Sequence, residues 1–157
     1  MADKQHPFEL AIPPAVLLIA GFALIWAAER FLPAAALTFP AQKWLAVGLV
    51  VAGVGVILAG ILTFRRHQTS VDPRDPGVAS TLVDGGIFAL TRNPMYLGMT
   101  LILAGSALGH GNWVALVVPV LFALWIDRFQ IVPEERSLGA AFPEAFAAYR
   151  EKTRRWL

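Results

Sequence analysis

Apolar positions along this chain gather into four blocks separated by polar stretches. The first covers residues 10–28 and is interrupted by Pro13-Pro14; the second covers 44–64 and contains no charge; the third covers 95–109 and the fourth 113–126. A hydrocarbon core of ~30 Å takes about 20 residues of helix to cross. The first, second and fourth blocks, counted with their flanks, reach that length. The third, about 15 residues or ~22 Å at 1.5 Å per residue, does not. It is expected to tilt or to stop within the membrane as the short arm of a hairpin. The uncharged turn "LGHGNW" (108–113) joins it to the fourth block.

Beyond Ile126 the pattern changes. "PEERSL" opens a helix, with Pro133 in the first turn and Glu134 and Glu135 where the helix dipole favours carboxylates. Leu138, Phe142, Phe146 and Tyr149 follow at helical spacing and make one apolar stripe. Pro143 splits this stretch into two short helices. Arg150, Lys152, Arg154, Arg155 and Trp156 end the chain, so the tail reads as an element lying on the membrane surface. The expected fold is therefore an all-α integral membrane protein. It has about four transmembrane helices, the last two a hairpin, followed by amphipathic interfacial helices. One domain, 1–157, is expected, with two N-terminal spans in 1–64 and the chemistry in 65–157. No internal repeat or low-complexity linker interrupts it.

Composition sharpens this picture. Of 157 residues, 57% are hydrophobic and 15% charged, far too apolar for a soluble domain of this length. There is no cysteine, which excludes disulfides, thiolate zinc sites and cysteine nucleophiles. His6, His67 and His110 are scattered, so no metal site is expected. A cleavable signal peptide is a poor reading of the first block, because Asp3 and Glu9 dilute its basic start and "AAERFL" is a weak cleavage site. Arg65, Arg66, Arg74 and Arg92 lie between the second and third blocks, and Arg128, Arg136, Arg150, Lys152, Arg154 and Arg155 follow the fourth. With Lys4 cytoplasmic, only Arg30 and Lys43 face outward. The positive-inside rule then puts both termini and segment 65–94 in the cytoplasm, the expected membrane being a bacterial inner membrane. No charge lies deep in any span, which disfavours a transporter.

Small residues suggest where helices meet. Gly48, Ala52, Gly55 and Ala59 in the second block, and Gly105 and Gly109 in the third, would let backbones approach. "GVGVILAG" from Gly53 is no dinucleotide loop, since no strand–turn–helix context surrounds it.

The stretch "ALTRNPMYLG" (89–98) sets Arg92, Asn93 and Pro94 directly before an apolar block, just after Gly85-Gly86. Alone, it is explained by an interfacial arginine, an N-cap asparagine, a helix-starting proline and a belt tyrosine, Tyr96. It is followed some forty residues later by "EERSLGAAFPEAFAAYREKTRRW" (134–156). Together with "STLVDGGIF" (80–88), these motifs resemble the isoprenylcysteine carboxyl methyltransferase and phospholipid methyltransferase superfamily of integral membrane enzymes. The resemblance covers roughly residues 69–156; the first two spans match only in being hydrophobic.

The resemblance implies S-adenosylmethionine as methyl donor, bound in a cytoplasm-facing pocket. By position, Ser80, Thr81, Leu82, Val83, Phe88, Asn93, Pro94, Met95, Tyr96 and Glu134 would line it. This is physically sensible, because aromatic faces and carboxylates attract a sulfonium and a carboxylate suits a ribose diol. Methyl transfer needs alignment more than acid–base help. Members that methylate prenylated cysteine have His where Ser80 and Asn93 stand and Tyr where Phe88 stands. They also place a substrate-holding arginine where Gln130 stands. Arg92 and Arg128 are the arginines left to orient an acceptor. The expected function is methyl transfer to a lipophilic acceptor (a carboxylate, a thiol or a lipid amine) reached from the bilayer, with no nucleic-acid partner. The alternative is a non-catalytic membrane binding or assembly protein that keeps the fold.

Overall fold

The computed structural model describes residues 7–66 and 82–157. Helix α1 is Pro14–Phe31, α2 Gln42–Arg66, α3 Pro94–His110, α4 Val117–Ile126, α5 Val132–Ala141 and α6 Pro143–Lys152. Three stretches are long and apolar enough to cross a membrane: Pro14–Phe31, Gln42–Arg66 and Val114–Ala141. Helix α3 has 17 residues, ~26 Å at 1.5 Å per residue, and so falls short of a full bilayer core, as its block length predicts. The bilayer-facing sides of α1, α2 and α4 carry exposed large apolar residues such as Ile19, Trp26, Val51, Leu58 and Leu124. Lipid, unlike water, solvates such a belt at no cost. The chain is an all-α membrane protein.

Pro13-Pro14 does not interrupt the first helix; it starts it. Pro14 occupies the first turn, where its missing N–H would be unpaired in any case. The change of pattern after Ile126 likewise does not end a helix. Helix α4 runs through one π-helical turn, Asp127–Ile131, directly into α5. Pro133 explains the widened turn. It has no N–H to offer the carbonyl four residues earlier and its ring crowds that carbonyl, so the helix opens to accommodate it. Pro143 does split the following stretch, with Phe142 extended between α5 and α6.

Helices α2 and α3 make the closest approach, along the face expected of α3 but not along that expected of α2. The small residues in contact are Ala46, Gly53 and Gly60 of α2 and Gly98 and Gly105 of α3. A Cβ added at Gly98 would lie 2.5 Å from the Gly53 carbonyl oxygen, and one at Gly105 would lie 2.7 Å from that of Ala46. Gly48 and Gly55, which the sequence suggests as packing residues, have nothing within 4 Å of such a Cβ, and Ala52 is exposed. Gly109 does face Ala46, at 3.6 Å. Small residues occur on both sides of α2, and only the position of α3 chooses between them. Gly98→Ala should therefore cost about 1–3 kcal/mol by overpacking against backbone. Gly55→Ala should be neutral or stabilising by up to about 1 kcal/mol through helix propensity. Thermal unfolding of the two variants in one detergent checks the pair; equal melting points would contradict this interface.

At the end of the bundle away from segment 86–94, side chains tie loops to helices. Asn112 donates to the carbonyls of Ala28 and Leu32, at 3.0 and 2.9 Å. Gln42 donates to that of Leu108 at 2.6 Å, and His110 pairs with Glu29. The apolar stripe of the C-terminal helices finds its partner within the chain. Phe146 and Tyr149 are buried with Val83 and Phe88, and Leu138 and Phe142 pack against that cluster. This lays α6 over segment 82–89 and brings the chain's end to the start of α3.

Candidate cofactor site

Segment 86–93 approaches α3 through a short turn. Gly86 takes a positive φ of 60° at the start of the helical turn Gly86–Ala89, a conformation glycine adopts without a side-chain clash. Pro94 opens α3, and Asn93 precedes it with an extended φ of −130°. Asn93 holds the N-cap position, yet its side chain makes no cap hydrogen bond. The Asn93 amide donates instead to the carbonyl of Arg155 at 3.0 Å.

That contact is one of a row. The Arg92 N–H donates to the Arg154 carbonyl at 3.0 Å, and the Thr91 hydroxyl to the Arg155 carbonyl at 3.2 Å. The Arg92 guanidinium donates to the carbonyl of Thr153, and at 3.5 Å to that of Arg150. Residues 91–93 thus grip the chain's last residues by their backbone. Glu135 locks the grip. Its Oε1 pairs with Arg92 Nη2 at 2.8 Å and its Oε2 with Arg155 Nη2 at 2.6 Å. Arg155 also pairs with Asp127 at 3.1 Å, and the Trp156 indole donates to Asp127 at 3.2 Å. The hydrogen bond to Glu135 holds the Arg155 guanidinium above its ordinary pKa.

Glu134 does something different. Neighbours in an α-helix point about 100° apart, so while Glu135 faces Arg92, Glu134 faces α3. There the Tyr96 hydroxyl donates to Glu134 Oε1. Tyr96 is buried, 7% exposed. An ionised carboxylate offers about four acceptor positions on two oxygens, so one phenol leaves room for another donor. A separate aromatic cluster lies under α6. Phe88 meets Phe64 edge-on at 4.8 Å, and the Tyr149 hydroxyl donates to the Phe88 carbonyl at 2.7 Å. Burial pushes the Tyr149 phenol above its usual pKa, which keeps it a donor.

The sequence-predicted residues therefore fall into several places. Tyr96 and Glu134, 38 residues apart, meet directly. Val83 and Phe88 are buried together, with Leu82 packed on them, in the cluster under α6. Pro94 and Met95 face α2, where a Cβ at Gly60 would lie 3.4 and 3.5 Å from them. Ser80 and Thr81 lie outside the described residues. Arg92 is 10% exposed and has its donors committed within the protein. Gln130, 2% exposed, donates to the Ile12 carbonyl at 2.8 Å. Arg128 is half-exposed and pairs with Glu9 at 3.5 Å. The residues that sequence reasoning missed are Glu135, Asp127, Thr91, Thr153 and Arg155. The available signal was Arg92 itself. A guanidinium at the entrance of an apolar block needs a counter-charge, and the Glu134-Glu135 doublet offers two carboxylates on different helix faces.

The phospholipid methyltransferase family model matches residues 41–145 of this chain, two thirds of its length. That stretch carries α2 to α5, the Arg92–Tyr96 segment and both glutamates. An uncharacterized protein of Haemophilus influenzae is 41% identical over 63 residues, which are 40% of this chain and all of that protein. A probable O-methyltransferase of Ustilaginoidea virens is 28% identical over 93 residues, 59% of this chain and 32% of that protein. No solved structure matches the chain.

Proposed function

The chain belongs to the phospholipid methyltransferase family, and from that premise we propose that it transfers a methyl group from S-adenosylmethionine to a lipophilic acceptor held in the bilayer. The observation that carries this reading is the Tyr96–Glu134 pair. A half-buried carboxylate in a membrane protein is costly unless partnered or functional, and a single phenol leaves part of its acceptor capacity open. The chemistry of the residues suits the donor molecule: Glu134 would accept from a ribose diol or neighbour a sulfonium, and Tyr96 and, by family position, Phe88 would offer aromatic faces. When bound, S-adenosylmethionine supplies an electrophilic methyl group on sulfur.

In this reading the protein's own task is alignment and exclusion of water. Tyr96 holds Glu134 in one rotamer. Arg92 acts as a positioning residue: through Glu135 and the carbonyls of residues 150 and 153 it fixes the turn that carries Asn93 to Tyr96. By position in the family motif, Leu82, Val83, Phe88, Pro94 and Met95 would supply the apolar side of the site. A carboxylate acceptor carries no proton to remove, so alignment for in-line displacement can serve it without a general base, whereas a thiol or a lipid amine would have to release a proton to water on the cytoplasmic side. We place the pocket on the cytoplasmic side, from the 11-to-2 partition of Lys and Arg across the expected topology. The O-methyltransferase relative weights the acceptor toward oxygen; a thiol or a lipid amine has the same access.

The test is to incubate the purified protein in detergent with methyl-labelled S-adenosylmethionine and total bacterial lipid extract. Label should pass into the organic phase and be absent with heat-treated protein. Absence of transfer together with absence of cofactor binding would leave the non-catalytic assembly role instead.

A further inference from the structure

Pro133 has a second consequence, at the N-terminus. The Phe129 carbonyl, four residues before a proline, lacks the N–H a regular helix would give it. Here the Leu10 N–H takes that carbonyl at 3.0 Å, and Gln130 donates to the Ile12 carbonyl at 2.8 Å. Residues 8–12 are thereby laid across the π turn as a strap. Leu10 is held at a φ of 54°, a left-handed conformation that non-glycine residues rarely adopt, so contacts on either side must impose it.

Those contacts have a definite chemistry. The Phe8 ring lies edge-on to Phe129 at 6.1 Å and tilted against Trp125 at 6.0 Å. The Glu9 side chain is 7% exposed and sits between two arginines, 3.5 Å from Arg128 Nη1 and 3.3 Å from Arg136 Nη1. The Trp125 indole nitrogen is buried without a hydrogen-bond partner among the described residues. The helix thus presents an aromatic shelf, two guanidiniums and an unused N–H donor along one side. The strap covers them with a ring and a carboxylate.

We propose that this face, formed by Trp125, Arg128, Phe129 and Arg136, is a binding site for an anionic phospholipid. Residues 8–12 fill it as an internal mimic, with Phe8 in the place of the acyl chain and Glu9 in that of the headgroup. A phosphodiester has more acceptor oxygens than one carboxylate and matches guanidinium geometry, and it could also take the Trp125 indole donor. The site is separate from the candidate cofactor site. Arg136 lies two residues beyond Glu134, about 200° around the helix, and Glu134 faces α3. The proposal therefore stands whether or not the chain transfers methyl groups.

Lipid retention by the full chain tests it. Protein in neutral detergent is mixed with phosphatidylglycerol, phosphatidylcholine or inorganic phosphate, and bound species are counted by native mass spectrometry. Wild type should retain phosphatidylglycerol over phosphatidylcholine. Glu9→Gln, and independently Phe8→Ala, should raise phosphatidylglycerol retention by roughly three- to tenfold, because weakening the strap enlarges the open fraction. Arg128→Gln combined with Arg136→Gln should abolish the preference. The proposal fails if neither strap variant retains more than wild type, or if the double variant keeps the preference. It also fails if millimolar inorganic phosphate displaces the lipid, which would mark a simple anion site with no use for the aromatic shelf.

Discussion

Glu135→Gln should lower the stability of the protein by roughly 2–4 kcal/mol, a large effect for a change that removes no volume. Breaking a buried ion pair by neutralising one partner costs about 3–5 kcal/mol, because the other charge stays buried and uncompensated. Here one carboxylate serves two guanidiniums, Arg92 at 2.8 Å and Arg155 at 2.6 Å. Arg92 is 10% exposed and cannot turn to water, whereas Arg155 is 31% exposed and keeps Asp127; its share is screened by solvent. The glutamine also retains one acceptor oxygen, so the expected loss sits at the lower part of the range. In thermal unfolding this corresponds to a drop of roughly 5–15 °C. Because Arg92 grips the carbonyls of residues 150 and 153, the last residues should also become accessible to carboxypeptidase. A variant that melts with wild type and keeps its C-terminus protected would mean that the network is only a surface feature.

Glu134→Gln, one residue away, should do the reverse. Its partner is a neutral phenol, and a glutamine oxygen can accept the same hydrogen bond, so no charge is stranded. Helix α4 continues through the π turn into α5, so Glu134 complements no helix N-terminus and little stability should be lost. Binding of S-adenosylmethionine should weaken much more. A hydrogen bond to a charged acceptor is worth about 1.5–3 kcal/mol, or roughly ten- to a hundredfold in dissociation constant. Equilibrium dialysis with labelled cofactor measures this directly. Tyr96→Phe should show a smaller loss of the same kind, since it frees Glu134 to leave its rotamer without removing the charge.

The spans were legible because block length is set by the bilayer and needs no tertiary information. Three of the four blocks are long enough to cross, and those three form helices long and apolar enough to do so. The 38-residue meeting of Tyr96 and Glu134 was legible only through the family motif, because no local pattern links positions that far apart. The helix-packing face of α2 was not legible. Gly48 and Gly55 are as small as Gly53 and Gly60, and spacing alone does not reveal which pair meets α3. Pro133 was read as a helix start, a fair inference from local rules. Its location within one continuous helix follows from the π turn Asp127–Ile131, together with the Leu10 N–H that takes the orphaned carbonyl. Arg155 looked like one more basic tail residue; its burial against Glu135 depends on how α6 folds back over Phe88.

The proposed division of labour between two adjacent carboxylates gives Glu134 to the cofactor and Glu135 to the fold. It is tested most directly by calorimetric titration of S-adenosylmethionine into wild type, Glu134→Gln and Glu135→Gln, each beside its melting curve in the same detergent. A crossed result is expected. Glu134→Gln should melt within a few degrees of wild type and bind roughly ten- to a hundredfold more weakly, while Glu135→Gln should melt well below wild type. Glu134→Gln binding as tightly as wild type, with its melting point lowered instead, would contradict it.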